Sequence, residues 1–591
     1  MESTMVDGGL TIPSLFRYGA RVHRRSKVLT FDGSGCREAT CGEVAVRVER
    51  LSSALQRLGV GPGDVVGTLM WNTQEHLEAY LAVPGMGAVI HTVNPRLFPQ
   101  QLAFVISQAA DKVLLVHSTI VPLVAQLAPQ LPTVEQLVVV DDGAPVGPDA
   151  AAALPALSRY EDLMAEATYE EFAWPDIDER AAAIMCYTSG TTGEPKGVVY
   201  SHRSTWLHAF AFNNACSLTL SERERALVIV PMFHVNAWGW PFTSWLVGAD
   251  LVLPSRYLQG EPLARLIEST GVTVSAAVPS ILAEVLRYAE ANPDCDLSSL
   301  KWLLCGGSAL PPSLLEGFDR LGVRVLQGWG MTETSPVCAI SGPPGDAEAR
   351  EEAEVGVGAG GVGAADVQWR LKTGRVVPGV ELRVMTPEGV EAPWDGATTG
   401  EIEVRGPWVT GAYFGSSGPV GSADSGSGSD SGSDSGSDSG SDSADRFRDG
   451  WLRTGDIGTV DDRGYLQITD RLKDVIKSGG EWISSVELEN ELMGHPDVVE
   501  ASVVGVNDDR WGERPLAVVV LRDGATTSPD ELCAWLAGRV VRWWLPERWA
   551  RIDRVPKTSV GKFDKKALRA AYAAGELEVV TVDRPPADPL P

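Results

Sequence analysis

From Val28 to Val140 the chain alternates compact apolar runs with stretches whose apolar residues recur at helical spacing. EVAVRVERLSSALQRLGV reads as an amphipathic helix, DVVGTLMWN and KVLLVHS as strands, and HLEAYLAVPGMGAVIH as a helix running into a strand. Strands interleaved with helices of this length predict βαβ units and a doubly wound sheet. The rhythm resumes further on with the strand ALVIVPMF, the helix PLARLIESTG, the strand TVSAAVP and the helix ILAEVLRYAEA. KWLLCGG and VRVLQGWG are further buried strands that end in glycine, the place where ligands sit in open α/β sheets. After Asp474 a smaller set follows: the helix SSVELENELMGH, the strands VVEASVVGV and PLAVVVLR, a helix from Pro529 to Val541, and a last helix after Lys562.

Two stretches break the pattern. Between Gly342 and Val367, Gly356, Gly358 and Gly361 satisfy G-x-G-x-x-G, but they follow DAEAREEAEV rather than an apolar strand, so a flexible insertion is expected in place of a dinucleotide site. From Gly415 to Asp445 the chain is almost entirely Ser, Gly and Asp, which has nothing to bury and predicts a disordered loop. Its six aspartates leave most of the net charge of −28 on the rest of the chain. That charge argues against nucleic-acid binding. At 591 residues the chain exceeds a single core. Its eight cysteines contain no C-x-x-C pair, and the C-x₄-C of Cys36 and Cys41 has no second pair beside it, which leaves neither a zinc pattern nor a secreted disulfide framework. The N-terminal stretch lacks a signal-peptide pattern, and no run approaches the roughly 18 apolar residues that span a bilayer. A reduced, cytoplasmic protein without an integral membrane segment is expected.

Chemistry concentrates first between Tyr187 and Val198, in YTSGTTGEPKGV. Apolar runs on both sides predict a loop between two short strands. Glycines let the backbone approach an anion, and exposed N–H groups with hydroxyls cradle phosphate oxygens. A Walker A loop is excluded, because Lys196 lies between Pro195 and Gly197 and no Ser or Thr follows it.

This string resembles the nucleotide loop of the adenylate-forming (AMP-binding) superfamily. QGWGMTE at Gln327 to Glu333, WLRTGD ending at Asp456, DRLKDVIKSGGEWIS from Asp470 and VPKTSVGKFDKK around Lys562 resemble that superfamily's later motifs, in order. Within it, PMFHVNAWGWP, KSGGEWISSVE and PKTSVGKFDKKALR are most similar to medium- and long-chain fatty acyl-CoA synthetases. The resemblance implies an α/β protein with a large N-terminal unit (1–470) of doubly wound sheets plus a small β-barrel-like part. It further implies a hinge at 471–474, a mobile α+β C-terminal unit (475–580) and a disordered tail (581–591). The implied activity is ATP-dependent fatty acid–CoA ligation through an acyl-adenylate.

By the same resemblance, Thr188, Ser189, Gly190, Thr191, Thr192, Gly193 and Lys196 would hold the phosphates, with Thr188 and Glu333 as Mg²⁺ ligands of the oxygen type that hard cation takes. Thr332 would reach the α-phosphate. Gly306, Gly307, Ser308, Gln327 and Gly328 would line the adenine, Trp329 would stack on it, and Asp456 would accept from the ribose hydroxyls. Arg471, Lys473, Lys477 and Trp482 are assigned to the nucleotide as well. Lys562 would be the catalytic lysine, the one that stabilises the pentavalent α-phosphate; its neighbours Lys557, Lys565 and Lys566 are expected on a solvated face. Lys473 matches the hinge position, and rotation there would bring Gly479 and Gly480 against the site as a channel for CoA.

For the acyl group, His234, Asn236, Trp238 and Trp240 fall two apart, which at strand spacing puts them on one face. By resemblance His234, Val235, Asn236 and Trp238 border the substrate, with His234 near its carboxylate and Trp238 placed to plug or open an apolar tunnel. The motif offers no acid to an ammonium group, which favours an unsubstituted carboxylic acid. Alternatives are an aryl or short-chain acid–CoA ligase, an acyl-AMP ligase serving a separate carrier protein, or a non-catalytic scaffold that uses the Ser/Gly/Asp stretch. The resemblance also allows a homodimer.

Overall fold

The structure is a computed structural model that describes residues 3–5, 8–141, 154, 156–167, 172–188, 194–214, 218–344, 364–415, 445–479, 481–558 and 563–582. Ser189 to Gly193, Gly480, Lys562, the three glycines at 356, 358 and 361, most of the Ser/Gly/Asp stretch and the end of the chain lie outside the described residues.

Among the described residues the strands form four sheets. A nine-stranded sheet is parallel through its middle, where Val274–Ala277, Trp302–Gly306 and Arg324–Gly330 lie side by side, and antiparallel at both ends. A seven-stranded sheet is parallel except for its last pair, Ala182–Thr188 against Lys196–Ser201. The five-stranded sheet built on Trp451–Val460 is antiparallel, and a six-stranded sheet holds the strands beyond Ile476. This is the α/β architecture expected, with large doubly wound sheets, a small antiparallel part and a C-terminal α+β part.

Helices Ile12–Val22, Gln74–Gly85, His202–Phe212 and Trp240–Val247 pack between the two large sheets and share one apolar cluster with both. The helix Gln74–Gly85 is buried along its whole length, as a helix flanked on all sides must be. Its buried carboxylate is well satisfied: Glu78 accepts from the Nε of Arg47 (2.6 Å), Gln74 (2.8 Å) and Tyr160 (2.5 Å). Local chemistry sets the helix starts. Thr40 and Glu43 form a reciprocal capping box, as do Ser528 and Glu531. Two sequence-predicted elements are shorter in the structure. The strand expected over ALVIVPMF is Arg225–Val228, and the helix expected from Pro529 to Val541 stops at Ala537, before Gly538.

Candidate active site

The strands Ala182–Thr188 and Lys196–Ser201 place Thr188 opposite Lys196 and Tyr187 opposite Gly197, so the two ends of the glycine-rich loop are fixed in register. The segment Thr410–Gly415 crosses this base. The Phe414 N–H donates to the Gly197 carbonyl (2.8 Å), and the Lys196 ammonium lies 5.1 Å from the centre of the Tyr413 ring. Tyr413 then donates its hydroxyl to Glu333 Oε1 at 2.6 Å. Glu333 is only 5 % exposed, its own carbonyl accepts from the Thr410 N–H (2.8 Å), and Tyr200 donates to the neighbouring Thr332 carbonyl (2.6 Å). Thr188, Lys196, Thr332 and Glu333 are thus brought together through Tyr200 and Tyr413.

The second wall is formed by parallel pairing of Cys305 with Gln327 and Gly306 with Gly328. A Cβ on Gly306 would stand 2.8 Å from the Trp238 ring and 2.9 Å from the Gly328 carbonyl, so glycine is what allows the indole to lie on the strand. Gly307 continues at φ +86°, and Ser308 is exposed. Gln327 holds this edge in shape: its side-chain oxygen accepts from the Leu310 N–H (3.2 Å) and its N–H donates to Ser341 Oγ (2.7 Å). Trp329 donates Nε1–H to Asp456 Oδ2 at 2.8 Å, and Arg471 Nε meets Asp456 Oδ1 at 3.1 Å. The carboxylate of Asp456 holds the Arg471 pKa above its ordinary value.

The spacing of the acyl motif does not produce a strand. Val235, Asn236, Ala237, Trp238 and Gly239 all have positive φ, from 47° to 80°, one left-handed turn before the helix that Pro241 opens. His234, Asn236, Trp238 and Trp240 therefore point in different directions. Asn236 is buried, its Oδ1 accepting from Cys186 Sγ (3.2 Å); Trp238 lies on Gly306; and Trp240 is core, 6.0 Å from Trp302 and 6.1 Å from Phe212. Each non-glycine residue in this region costs about 1–2 kcal/mol. The bonds to Asn236 and that of Tyr80 to the Met232 carbonyl offset part of it. Tyr200, Thr205, His208, Asn236, Phe242 and Ser335 line a small cavity under the turn.

Lys477, Gly479 and Trp482 belong to another cluster. Lys477 faces Trp482 across a strand pair, Gly479 has φ +62° and donates its N–H to the Trp511 carbonyl (2.8 Å), and buried Arg514 donates to Ser478 Oγ (3.0 Å). Between the two groups runs a charged clasp. Asp470 Oδ2 accepts from both the N–H (2.6 Å) and the hydroxyl (2.7 Å) of Ser485, and Arg569 donates to the Lys473 carbonyl (3.3 Å) and pairs with Asp474 (2.9 Å). Burial pulls the Lys473 pKa below the usual lysine value. Lys557 and Lys566 are exposed as expected, Lys557 pairing with Glu500 (2.6 Å), but Lys565 is not on a solvated face: it is largely enclosed, 2.6 Å from Ser485 Oγ and 2.9 Å from Glu489. Burial alone would lower the Lys565 pKa, but Glu489, Asp470 and Asp474 hold it above the ordinary range.

The reading of the sequence missed Tyr413, Arg446, Tyr200 and Cys186. Tyr413 and Arg446 flank the Ser/Gly/Asp stretch, and rings on either side of it, Tyr413 and Phe447, meet with centroids 5.2 Å apart. The only signal was the return of aromatic residues at both borders.

The chain matches the model of the AMP-binding enzyme family over residues 16–414 and that of the AMP-binding enzyme C-terminal domain over 487–562. It is 44 % identical to the long-chain-fatty-acid–CoA ligase of Thermus thermophilus, over 96 % of this chain and 97 % of that protein. It is 39 % identical to the medium-chain-fatty-acid–CoA ligase of Ectopseudomonas oleovorans, over 97 % of this chain and 98 % of that one. The crystal structure of an anthranilate CoA ligase in complex with anthranoyl-AMP has the same fold, with a TM-score of 0.81 at 24 % identity, covering 98 % of this chain and all of that one.

Proposed function

The chain belongs to the AMP-binding enzyme family, and from that premise we propose how its residues carry the reaction of an ATP-dependent fatty acid–CoA ligase. The enzyme is an acid–thiol ligase working in two steps. A carboxylate oxygen bonds to the α-phosphorus of ATP while the bond to the bridging oxygen breaks, and pyrophosphate leaves with that electron pair. The CoA sulfur then attacks the acyl carbon and AMP departs.

The observation that carries the reading of the site is a pair of contact lines, Lys196–Tyr413–Glu333 beside the glycine-rich loop and Trp329–Asp456–Arg471 at the end of the glycine-bearing strands. Thr188, Lys196 and the loop residues 189–193 hold the phosphates, Thr332 the α-phosphate, and Asp456 the ribose, displacing one of its present partners. Gly306 to Ser308, Gln327, Gly328 and Trp329 border the adenine. The site suits Mg²⁺ delivered with ATP. Among the described residues no group of three or more His, Cys, Asp or Glu could cage a metal, and an ion held by Glu333, Thr188 and substrate phosphates is how Mg²⁺ usually binds. Bound there, it neutralises charge on the phosphates.

Lys562 supplies the positive charge opposite the attacking carboxylate, and Lys473 is the hinge between a 1–470 unit and a 475–580 unit. The clasp of Arg569 on the Lys473 carbonyl supports that placement, since it grips the peptide that would rotate. Gly479, Gly480, Lys477 and Trp482 then act in the thioester step. His234, Val235, Asn236 and Trp238 border the acid. A cytoplasmic setting and a homodimer complete the proposal. Among the described residues Cys36, Cys41, Cys186, Cys295, Cys305 and Cys338 are in no disulfide, and no described helix is long and apolar enough to cross a membrane.

Pyrophosphate release measured over acids from two to eighteen carbons and aromatic acids, with and without CoA, tests this reading. Release with fatty acids, and acyl-CoA formed only when CoA is added, is the expected result. Release confined to aromatic acids, or an acyl-AMP that CoA does not discharge, would overturn the substrate or the acceptor.

A further inference from the structure

Arg446 stands where the chain re-enters the described structure after residue 444, and its guanidinium reaches the heart of the site. Its Nη2 donates to the Thr454 carbonyl (3.2 Å), touches Met331 Sδ (3.9 Å) and lies 3.6 Å from Glu333 Oε1. Its Nε is buried and has no hydrogen-bond partner. The same Glu333 oxygen is already held at 2.6 Å by Tyr413, so Arg446 neutralises the carboxylate by charge at a distance beyond hydrogen bonding. The neighbouring arginines are committed, Arg471 to Asp456 at the ribose end and Arg453 to Glu401 at 3.0 Å, and Lys196 stands on the far side of the Tyr413 ring, at the base of the glycine-rich loop. Arg446 is therefore a cation with a spare buried donor, placed beside the carboxylate on the phosphate wall.

We propose that Arg446 binds the departing pyrophosphate. In the nucleotide-free site it is the counter-ion of Glu333. Once Glu333 is engaged by the divalent cation that accompanies ATP, the guanidinium loses that counter-ion, and the β- and γ-phosphate oxygens are the anions available to its free donors. A planar fork of N–H groups suits phosphate oxygens. As the α–β bridging bond breaks, the electron pair and the added negative charge go to pyrophosphate, and Arg446 stabilises it there; no proton transfer and no further reactant is needed. The role concerns only the leaving group, so AMP and the acyl-adenylate, which lack those phosphates, gain nothing from it.

The inference rests on the nucleotide reading of the site, and binding measurements separate the two. Calorimetry with Mg·ATP and with AMP, together with the KM for pyrophosphate in ATP–pyrophosphate exchange, is compared for the unaltered enzyme, Arg446→Met and Arg446→Lys. Arg446→Met should weaken ATP binding and raise the pyrophosphate KM by about tenfold or more, leave AMP affinity within about twofold, and be partly rescued in Arg446→Lys. Equal weakening of ATP and AMP would mean that Arg446 merely shapes the site, and unchanged ATP affinity would remove it from the reaction; either overturns the inference. If the unaltered enzyme bound neither ATP nor AMP, the nucleotide reading itself would fall, and this inference with it.

Discussion

The two walls of the site are built from opposite materials. The wall we propose for the acyl group, around the left-handed turn at Val235–Gly239, is aromatic; burial pushes His208, packed against Gly239, down to about 3, and two further buried histidines, His76 and His202, to about 4. The wall we propose for the nucleotide keeps its charges and sets them against one another, Asp456 with Arg471 and Glu333 with Arg446. The difference follows from what each must exchange. An apolar chain needs a surface without desolvated charge. A polyanion and its cation need charged groups already in place, whose temporary partners they displace without reorganising the wall.

The largest break in this contrast should come from the charged wall. Glu333→Gln removes the carboxylate we propose for the cation but keeps the shape, and should cut pyrophosphate release by about 10²–10³. Thioester formation from supplied acyl-adenylate should stay near the original rate; loss of both steps alike would mean that Glu333 is structural. On the aromatic wall the effect should be smaller and depend on packing. Gly306→Val drives a side chain into the Trp238 ring and the Gly328 carbonyl, and should lower adenylation by about tenfold, since an overpacked contact costs about 1–3 kcal/mol. Adding Trp238→Ala should recover part of that loss. A double variant no better than Gly306→Val alone would show that the indole does not rest there when substrate binds.

The smallest effect under ordinary conditions, and the one most specific to the buried histidines, is on pH. For His76, His202 and His208 the folded pKa lies below the free value of 6.5. As pH falls, the unfolded chain takes up these protons first. Stability is therefore complete above pH 6.5 and declines as pH drops from 6.5 towards 4, by roughly 3 kcal/mol for His76 alone. Melting temperatures over that range should fall, and fall less steeply in His76→Gln. Equal slopes for the two proteins would remove His76 from the account.

Legibility in the sequence also divides along this line. The strand pair Ala182–Thr188 and Lys196–Ser201 that carries the glycine-rich loop was readable because apolar runs flanking glycines and hydroxyls are local signals. The left-handed turn was not: only Asn236 and Gly239 favour that backbone, and the groups that sustain it, Tyr80 and Cys186, lie far away in the chain. Alternation of His234, Asn236, Trp238 and Trp240 mimicked a strand because a period of two says nothing about φ. Lys565 looked like a surface lysine because the carboxylates that draw it inward, Asp470 and Glu489, come from other elements. Arg446 was hidden by its neighbours, a border residue of low-complexity sequence that turned out to touch Glu333.

The ring contact between Tyr413 and Phe447 has a practical side. Because the chain leaves and returns within one aromatic contact, the cost of closing that loop rises only with the logarithm of its length. A reporter domain whose termini lie close together can be spliced in place of residues 416–444, and its two attachment points would sit close to Tyr413 and Arg446, the residues that approach Glu333. Occupancy of the nucleotide site would then be read out as an optical signal, without a label on any residue that handles the substrates.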